Sequence, residues 1–336
     1  MTRYAIASMT PAALLVLACL RGGLWPLAAL LSITVLVFFA DKIDRAAPES
    51  DATGRTVSLC LAAVHFALLP LGIWALAGDR GLATDDKVLI FIAMGLFFGQ
   101  ISNSNAHELI HASGRWPRRI GTAIYASLLN GHHVSAHLRV HHVHAATDAD
   151  PNSARLGEGF YAYALRVLAG EFIAGWRADT QQRARAGGGS ALSHPYVVYI
   201  GGGCLSLIAG FAIAGLAGII ALLGVALYAQ AQLLLSDYVQ HYGLRRQSRA
   251  DGRIEPVGPH HSWNAPAWYS SSMMLNAPRH SDHHMRPARA FPALEVTPET
   301  MPVLPRSLPV MAVLALVPPV WRRIMDHRAA RWQKAA

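Results

Sequence analysis

A run of histidines between residues 107 and 142 has the spacing of metal ligands. His107 and His111 are four residues apart, which places both rings on one face of a helix, within reach of one ion. His137 and His141 repeat that spacing, and the adjacent His142 points about 100° away on a helix, so it could serve a second metal or a different vertex. Because imidazole binds zinc, copper, iron and nickel, the run predicts a metal site.

Two further histidine segments follow more than a hundred residues after the start of this run. His241 lies in the segment YVQHYG, and RHSDHH places His280, His283 and His284 at positions i, i+3 and i+4, again on one helical face. With the run counted as two segments, 107–111 and 137–142, four segments together supply nine imidazoles. Since nine ligands exceed the coordination of one ion, the sequence predicts two metals.

Metal-bound imidazoles usually donate their second ring N–H to an acceptor. Several carboxylates next to the histidine segments could accept such a bond. The candidates are Glu108, Asp148, Asp150, Asp237 and Asp282. His260 and His261, in PHHSWN, are candidates for ligation and, more strongly, for support of the ligands.

Other interpretations of individual histidines stay open. The pentapeptide HELIH matches the zinc-protease pattern HExxH, in which Glu108 would be the general base. That interpretation uses two of these histidines and one further ligand, and leaves six unexplained. His132 or His133 could compete as ligands, because His133 also precedes His137 by four residues. His65, in an apolar segment, is expected to be a satisfied polar residue facing the helix bundle.

The composition indicates an all-α, polytopic membrane protein. Of the 336 residues 53% are hydrophobic and 15% charged, and the mean hydropathy is +0.28, which is too apolar for an ordinary soluble domain. The net charge of +9 fits basic residues at a membrane face better than nucleic-acid binding. Cys19, Cys60 and Cys204 are far apart and form no CxxC, which argues against a disulfide framework or a cysteine-based metal site.

Six apolar segments are candidate transmembrane spans in a single membrane domain, residues 1–336. They cover residues 4–20, 24–40, 57–78, 88–101, 196–215 and 218–240. A glycine-rich turn near residues 215–218 is expected to divide the last two, because 45 apolar residues are about twice what one crossing needs. The regions 103–195 and 241–336 would carry the metal ligands.

The basic residues predict the orientation. Of 29 Lys and Arg, 22 follow Ile101, and the loop Asp79–Lys87 has three Asp against one Arg and one Lys. With six spans, the positive-inside rule then places both termini and all nine histidines on the cytoplasmic side.

The ordered motifs resemble those of a known family. HExxH, HxxxHH and HxxHH in a multispan protein are similar to the membrane di-iron superfamily of fatty-acid desaturases and hydroxylases. The finer resemblance is to integral-membrane alkane monooxygenases of the AlkB type. It is carried by HELIH (107–111), HLRVHH (137–142), ATDADP (146–151), RLGE (155–158), QHYGL (240–244), PHHSWN (259–264) and RHSDHH (279–284).

This resemblance implies that the nine histidines bind two iron ions and that the protein lies in a bacterial inner membrane. It also implies insertion of one oxygen atom from O₂ into the terminal C–H bond of an alkane, giving a primary alcohol. Electrons would come from a rubredoxin and its NADH-dependent reductase. Since the chain has no CxxC, that rubredoxin would be a separate protein.

Three alternatives remain at this point. A xylene-type monooxygenase would oxidise aromatic methyl groups, and a desaturase or lipid hydroxylase would act on an acyl chain. The third alternative is a metal transporter or sensor. A transporter would place polar ligands near mid-membrane, whereas these histidines lie at or beyond the ends of the spans.

Overall fold

A computed structural model describes residues 1–43 and 53–335, and these residues form a helical bundle. The polar segment 41–56, expected as a loop between the second and third predicted spans, therefore lies partly outside the described residues. Apart from isolated bridges such as Ser248–Ile254, the regular structure in the described part is helical, as predicted. The α-helices are Thr2–Arg21, Leu24–Ile33, Val35–Ala40, Arg55–Ala77, Thr84–His111, Arg115–Ser127, a segment over residues 133–144, Phe160–Arg185, Pro195–His241, Trp268–Met273, His280–Met285, Leu308–Ala315 and Pro318–Ala335.

Among the described residues, four helices are long and apolar enough to cross a membrane. They are Thr2–Arg21, Arg55–Ala77, Thr84–His111 and Pro195–His241, and a shorter apolar pair covers Leu24–Ala40. Each of the six predicted segments therefore corresponds to apolar helix. Their outward faces carry large exposed apolar side chains, as expected of a surface that contacts lipid.

The longest of these helices, Pro195–His241, folds back on itself. Its backbone leaves helical geometry at Ala214 and at Gly215, where φ is +58°, and a Cβ atom at Gly218 would lie only 2.0 Å from the carbonyl oxygen of Gly210. In a straight helix residues eight apart are separated by about 12 Å. The segment is thus a pair of antiparallel halves, divided next to the predicted turn.

The Thr84–His111 helix continues 10 residues beyond the predicted span 88–101 and carries the first histidine pair on its last turns. A π-helical section, Phe97–Ser102, interrupts it. It packs along the second half of Pro195–His241, where Gly95 and Gly99 leave room for the side chains of Tyr228 and Gln232. These two helices bring His107, His111 and His241 to one end of the bundle.

Candidate metal centre

Five of the nine predicted ligands converge at that end of the bundle. The Nε2 atom of His137 lies 3.0 Å from that of His111 and 3.0 Å from that of His142, and the Nε2 atoms of His142 and His283 are 3.1 Å apart. All the candidate ligand atoms of this group lie within 4.8 Å of one another. The five-histidine group consists of His107, His111, His137, His142 and His283.

The other four histidines form a second group beside the first. The Nε2 atom of His280 lies 2.9 Å from that of His241 and 3.0 Å from that of His284. The His141 ring packs against the His241 ring with centroids 4.5 Å apart. The four-histidine group consists of His141, His241, His280 and His284, all buried.

A π-helical turn decides how the run from His137 to His142 is shared between the groups. The sequence predicts an α-helix, with His137 and His141 on one face and His142 turned away. The structure has π-helix over His137–His141, in which residues five apart are the neighbours. The predicted pairing of His137 with His141 is therefore wrong: His137 and His142 share the five-histidine group, and His141 joins the other.

The segment RHSDHH is also divided between the groups, although its histidines were predicted to share one face. In the short helix His280–Met285, His280 and His284 keep the i, i+4 relation and belong to the four-histidine group. His283 faces the five-histidine group. This helix, like the π-helical turn, lies between the two groups and contributes to both.

Both groups fit a metal ion. Two nitrogen ligands about 2.1 Å from one ion and at a right angle to each other are about 3.0 Å apart, which is the separation of the neighbouring Nε2 atoms. In addition, the Nε2 atoms of His107 and His141, one in each group, are buried with no hydrogen-bond partner among the described residues. A bound ion would supply the missing partner, and an all-imidazole donor set suits iron as well as zinc, copper or nickel.

Burial also keeps the ring nitrogens available as ligands. It lowers the pKa of His137, His142 and His283 well below the usual value, and neighbouring histidines lower it further. Burial lowers the pKa of His280 to about 3 and that of His284 well below its usual value. These imidazoles are therefore neutral at ordinary pH, and neutral imidazole is the form that binds a metal.

Asp150 is the predicted carboxylate that contacts a histidine of the groups. Its Oδ2 atom lies 2.9 Å from Nδ1 of His141 and also accepts a hydrogen bond from Ser153. Burial alone would lower the pKa of His141, but the nearby Asp150 carboxylate raises it above the usual value. The contact fixes the ring so that Nε2 faces the four-histidine group, and it makes that nitrogen more basic.

The other predicted carboxylates lie elsewhere. Asp148 is 87% exposed and lies 3.6 Å from Arg245. The buried Asp237 accepts from the amide of Asn152, and Glu108 accepts from the backbone N–H of Phe291.

Asp282 acts on the ligand helix rather than on a ring. Its carboxylate accepts hydrogen bonds from Arg286, from Arg289 and from the backbone N–H of Glu295. These bonds hold the buried helix His280–Met285 against the chain that follows it.

The histidines of PHHSWN lie away from both groups, beside Glu255. Nε2 of His261 is 3.1 Å from the Glu255 carboxylate, and its Nδ1 accepts a hydrogen bond from the backbone N–H of Gly258. A ring that binds a metal through Nε2 needs a proton on Nδ1, and that proton would face the Gly258 donor. His260 and Glu255 are close enough for a metal, but the bonding of His261 argues against one.

Trp263 and Asn264, in the same motif, position ligand segments. The Trp263 indole donates to the carbonyl oxygen of Tyr242, next to His241. The amide of Asn264 donates to Ser281 Oγ and accepts from the Ser281 backbone N–H, next to His280. The two residues join segments that are about forty residues apart in sequence, which no spacing rule reveals.

A buried polar pair behind the five-histidine group was not predicted. The His133 ring stacks on that of His137, with centroids 5.2 Å apart, and its Nδ1 atom bonds to the carboxylate of Glu171. Glu171 lies in the helix Phe160–Arg185, inside the region 103–195, where the sequence predicted metal ligands but not this helix. The signal available in the sequence was the four-residue spacing of this helical face, on which two acidic residues, Glu171 and Asp179, alternate with less polar ones.

A small chamber of about 60 Å³ adjoins both groups. His107 and His137 of the five-histidine group and His280 of the four-histidine group line it, and the facing wall comes from the second half of Pro195–His241. The chamber therefore borders both groups.

Comparison with known proteins agrees with these features. The family model described as fatty acid desaturase matches residues 87–315. The chain is 30% identical to alkane 1-monooxygenase 2 of Pseudomonas aeruginosa over 84% of this chain and 75% of that protein. It is 28% identical to alkane 1-monooxygenase 2 of Alcanivorax borkumensis over 88% of this chain and 79% of that protein.

A more distant similarity connects the chain to a relative with a different name. The xylene/toluene monooxygenase hydroxylase component of Pseudomonas putida is 25% identical over 64% of this chain and 57% of that protein. The stronger matches, the apolar helices and the nine gathered histidines lead to one assignment: the chain belongs to the fatty acid desaturase family and, within it, to the alkane 1-monooxygenases.

Proposed function

We propose that the protein hydroxylates the terminal carbon of an alkane: RH + O₂ + 2 e⁻ + 2 H⁺ gives a primary alcohol and water. The nine histidines hold two iron ions, five at one and four at the other. Bound iron supplies the oxygen-activating chemistry, which no side chain can perform. The observation that carries the proposal is the meeting of both histidine groups at one chamber that continues into an apolar cavity.

That apolar cavity, of about 530 Å³, is the proposed binding site for the hydrocarbon chain. It shares Gln100, Gln232, Pro309 and Ala312 with the chamber beside the metals. Its mouth is formed by exposed apolar residues such as Phe38 and Val313. An alkane has no polar group, so burial of its surface between the helices is the available source of binding energy.

The walls of the cavity bind and align the chain with its end toward the metals. Gln100 precedes His107 by seven residues, and Gln232 precedes His241 by nine. At 1.5 Å per residue the two amides lie roughly 10 to 14 Å from the ligands along their helices. A chain end that passes them enters the chamber, where the surrounding side chains exclude bulk water.

The remaining parts of the proposal concern partners and placement. Electrons come from a separate rubredoxin and its NADH-dependent reductase, and the protein lies in a bacterial inner membrane. Both termini and the metal end face the cytoplasm, in accordance with the basic residues after Ile101.

The direct test is product formation by membranes that contain the metal-loaded protein. With rubredoxin, its reductase, NADH and ¹⁸O₂, octane should yield 1-octanol carrying one ¹⁸O, and omission of rubredoxin should abolish it. p-Xylene and an acyl lipid are the comparison substrates. Absence of alkanol with both metals bound would overturn the proposal, and an alkene from the acyl lipid would indicate a desaturase.

Two matched variants test the binding site. Ala312→Phe fills the junction between cavity and chamber and should lower 1-octanol formation at least about tenfold by displacing the chain. Ala123→Phe makes the same change in a larger groove of about 810 Å³ between other helices and should leave activity within about twofold. The reverse result would place the substrate in the groove.

A further inference from the structure

The junction between the apolar cavity and the chamber is formed in part by two glutamines. Nε2 of Gln100 donates to Oε1 of Gln232 across 3.4 Å, and both side chains line both spaces. Gln100 lies in the π-helical section Phe97–Ser102. Gly99 lets the Gln232 side chain approach, since a Cβ atom there would be 2.4 Å from Cβ of Gln232.

Oε1 of Gln100 is buried and has no hydrogen-bond partner among the described residues. Its neighbours in the chamber wall are already bonded: Ser236 donates to Gln240, and Asp237 accepts from Asn152. An unpaired buried acceptor is costly, so this oxygen favours any occupant of the junction that brings an O–H group.

We propose that Gln100 forms a hydroxyl-binding subsite for the primary alcohol, at the junction through which substrate and product pass. The inference rests on the proposed function, because the alcohol is the product of that reaction. The substrate alkane has no donor and gains nothing from the amide, whereas the alcohol gains one hydrogen bond. A hydroxyl both donates and accepts, so the subsite serves it whichever way the amide is turned.

The subsite has a consequence for turnover. Product leaving the metals is held at the junction, where it blocks the next alkane. Gln232 is a positioning residue, because it accepts a hydrogen bond from the amide nitrogen of Gln100. The amide oxygen of Gln100 is then left for the molecule that occupies the junction.

The test is a binding measurement on the full-length, metal-loaded protein in lipid nanodiscs. A hydrocarbon carrying an aliphatic diazirine photolabels the cavity, and 1-octanol and octane compete with it. The measured quantity is the octanol-to-octane ratio, that is, how strongly 1-octanol reduces photolabelling relative to octane. This ratio is compared between variants, so that the partition of each competitor into lipid cancels. Gln100→Met should lower the octanol-to-octane ratio about fivefold to tenfold, which corresponds to one lost hydrogen bond.

Gln230→Met is the matched control, because Gln230 lies on the helix of Gln232, two residues before it, but donates to the Leu128 carbonyl oxygen. It should leave the ratio unchanged. Gln232→Met provides a second variant if Gln100→Met does not fold, and it should also lower the octanol-to-octane ratio. An unchanged ratio in a folded, photolabelled Gln100→Met protein would overturn the subsite. Since no turnover is needed, failure of the proposed reaction would appear separately, as absence of alkanol from wild type.

Discussion

The five-histidine group and the four-histidine group use the same ligand but differ in their surroundings. In the first, His107, His111 and His142 are only half buried. His107 lines the chamber, and His111 borders a second cavity of about 190 Å³ on the other side. All members of the second group are buried, and it contributes His280 to the chamber wall. One metal position, the open one, thus borders two cavities, and the other, the more enclosed one, borders the chamber through His280 alone.

The groups also differ in electrostatics. His141 of the four-histidine group has a carboxylate, Asp150, on its second ring nitrogen. The five-histidine group has the His133–Glu171 pair behind His137 instead. A carboxylate bonded to the ligand makes it a better electron donor toward a metal. The enclosed position is therefore expected to bind its metal more tightly, and the open position to exchange it more readily.

The largest expected effect comes from removing one ligand of either group. His107→Ala and His241→Ala should each lose the metal of their own group and retain that of the other. The activity of each variant should fall below about 1% of the wild-type activity. Metal content per chain and alkanol formation measure this.

His65→Ala is the control for that pair of variants. His65 lies between the hydroxyl groups of Ser102 and Ser127, so its loss should lower thermal stability while two metals remain bound. If His107→Ala or His241→Ala kept both metals, the division into five and four ligands would be wrong.

A smaller effect is expected from Asp150→Asn. The amide can still occupy the site but cannot raise the basicity of His141, so metal affinity of the four-histidine group should fall about 10- to 100-fold. Affinity of the five-histidine group should stay the same, which titration with a chelator would measure. Asp148→Asn, at an exposed carboxylate, is the matched control, and an equal loss there would contradict the role of Asp150.

The smallest effect concerns pH. Asp150 raises the pKa of His141, so as pH falls His141 takes up a proton earlier than His137 or His283, whose pKa values burial lowers. Below the raised pKa, metal affinity of the four-histidine group should drop by up to about tenfold per pH unit, because each bound metal must displace that proton.

Variants with one intact group allow this measurement. His107→Ala reports on the four-histidine group and His241→Ala on the five-histidine group, and metal affinity is followed during acidification. Loss of metal from the five-histidine group at the higher pH would contradict the ordering.

The sequence predicted what depends on composition and local spacing. Apolar runs such as Val57–Gly78 correspond to helices, and His107 with His111 lie on one helical face in one group, as expected. The break next to Gly215 was predicted from the glycine-rich turn and from length, because 45 residues are about twice what one crossing needs.

The sequence could not predict what depends on backbone register or on distant contacts. The π-helical turn at His137–His141 changes which residues are neighbours, and nothing in its composition distinguishes it from α-helix. Phe160–Arg185 was missed because its polar and apolar residues average out over the segment. The bond between Asn264 and Ser281 joins loops whose proximity only the folded chain defines.

The π-helical turn at His137–His141 makes the division of the histidines between the two groups sensitive to a single codon. If one residue were deleted there, such as Leu138, the segment could relax to an α-helix and the remaining histidines would point in new directions. Two adjacent metal positions would then no longer share this segment. A change of one amino acid at this turn would thus alter how the histidines are divided, while the apolar helices around it need not change.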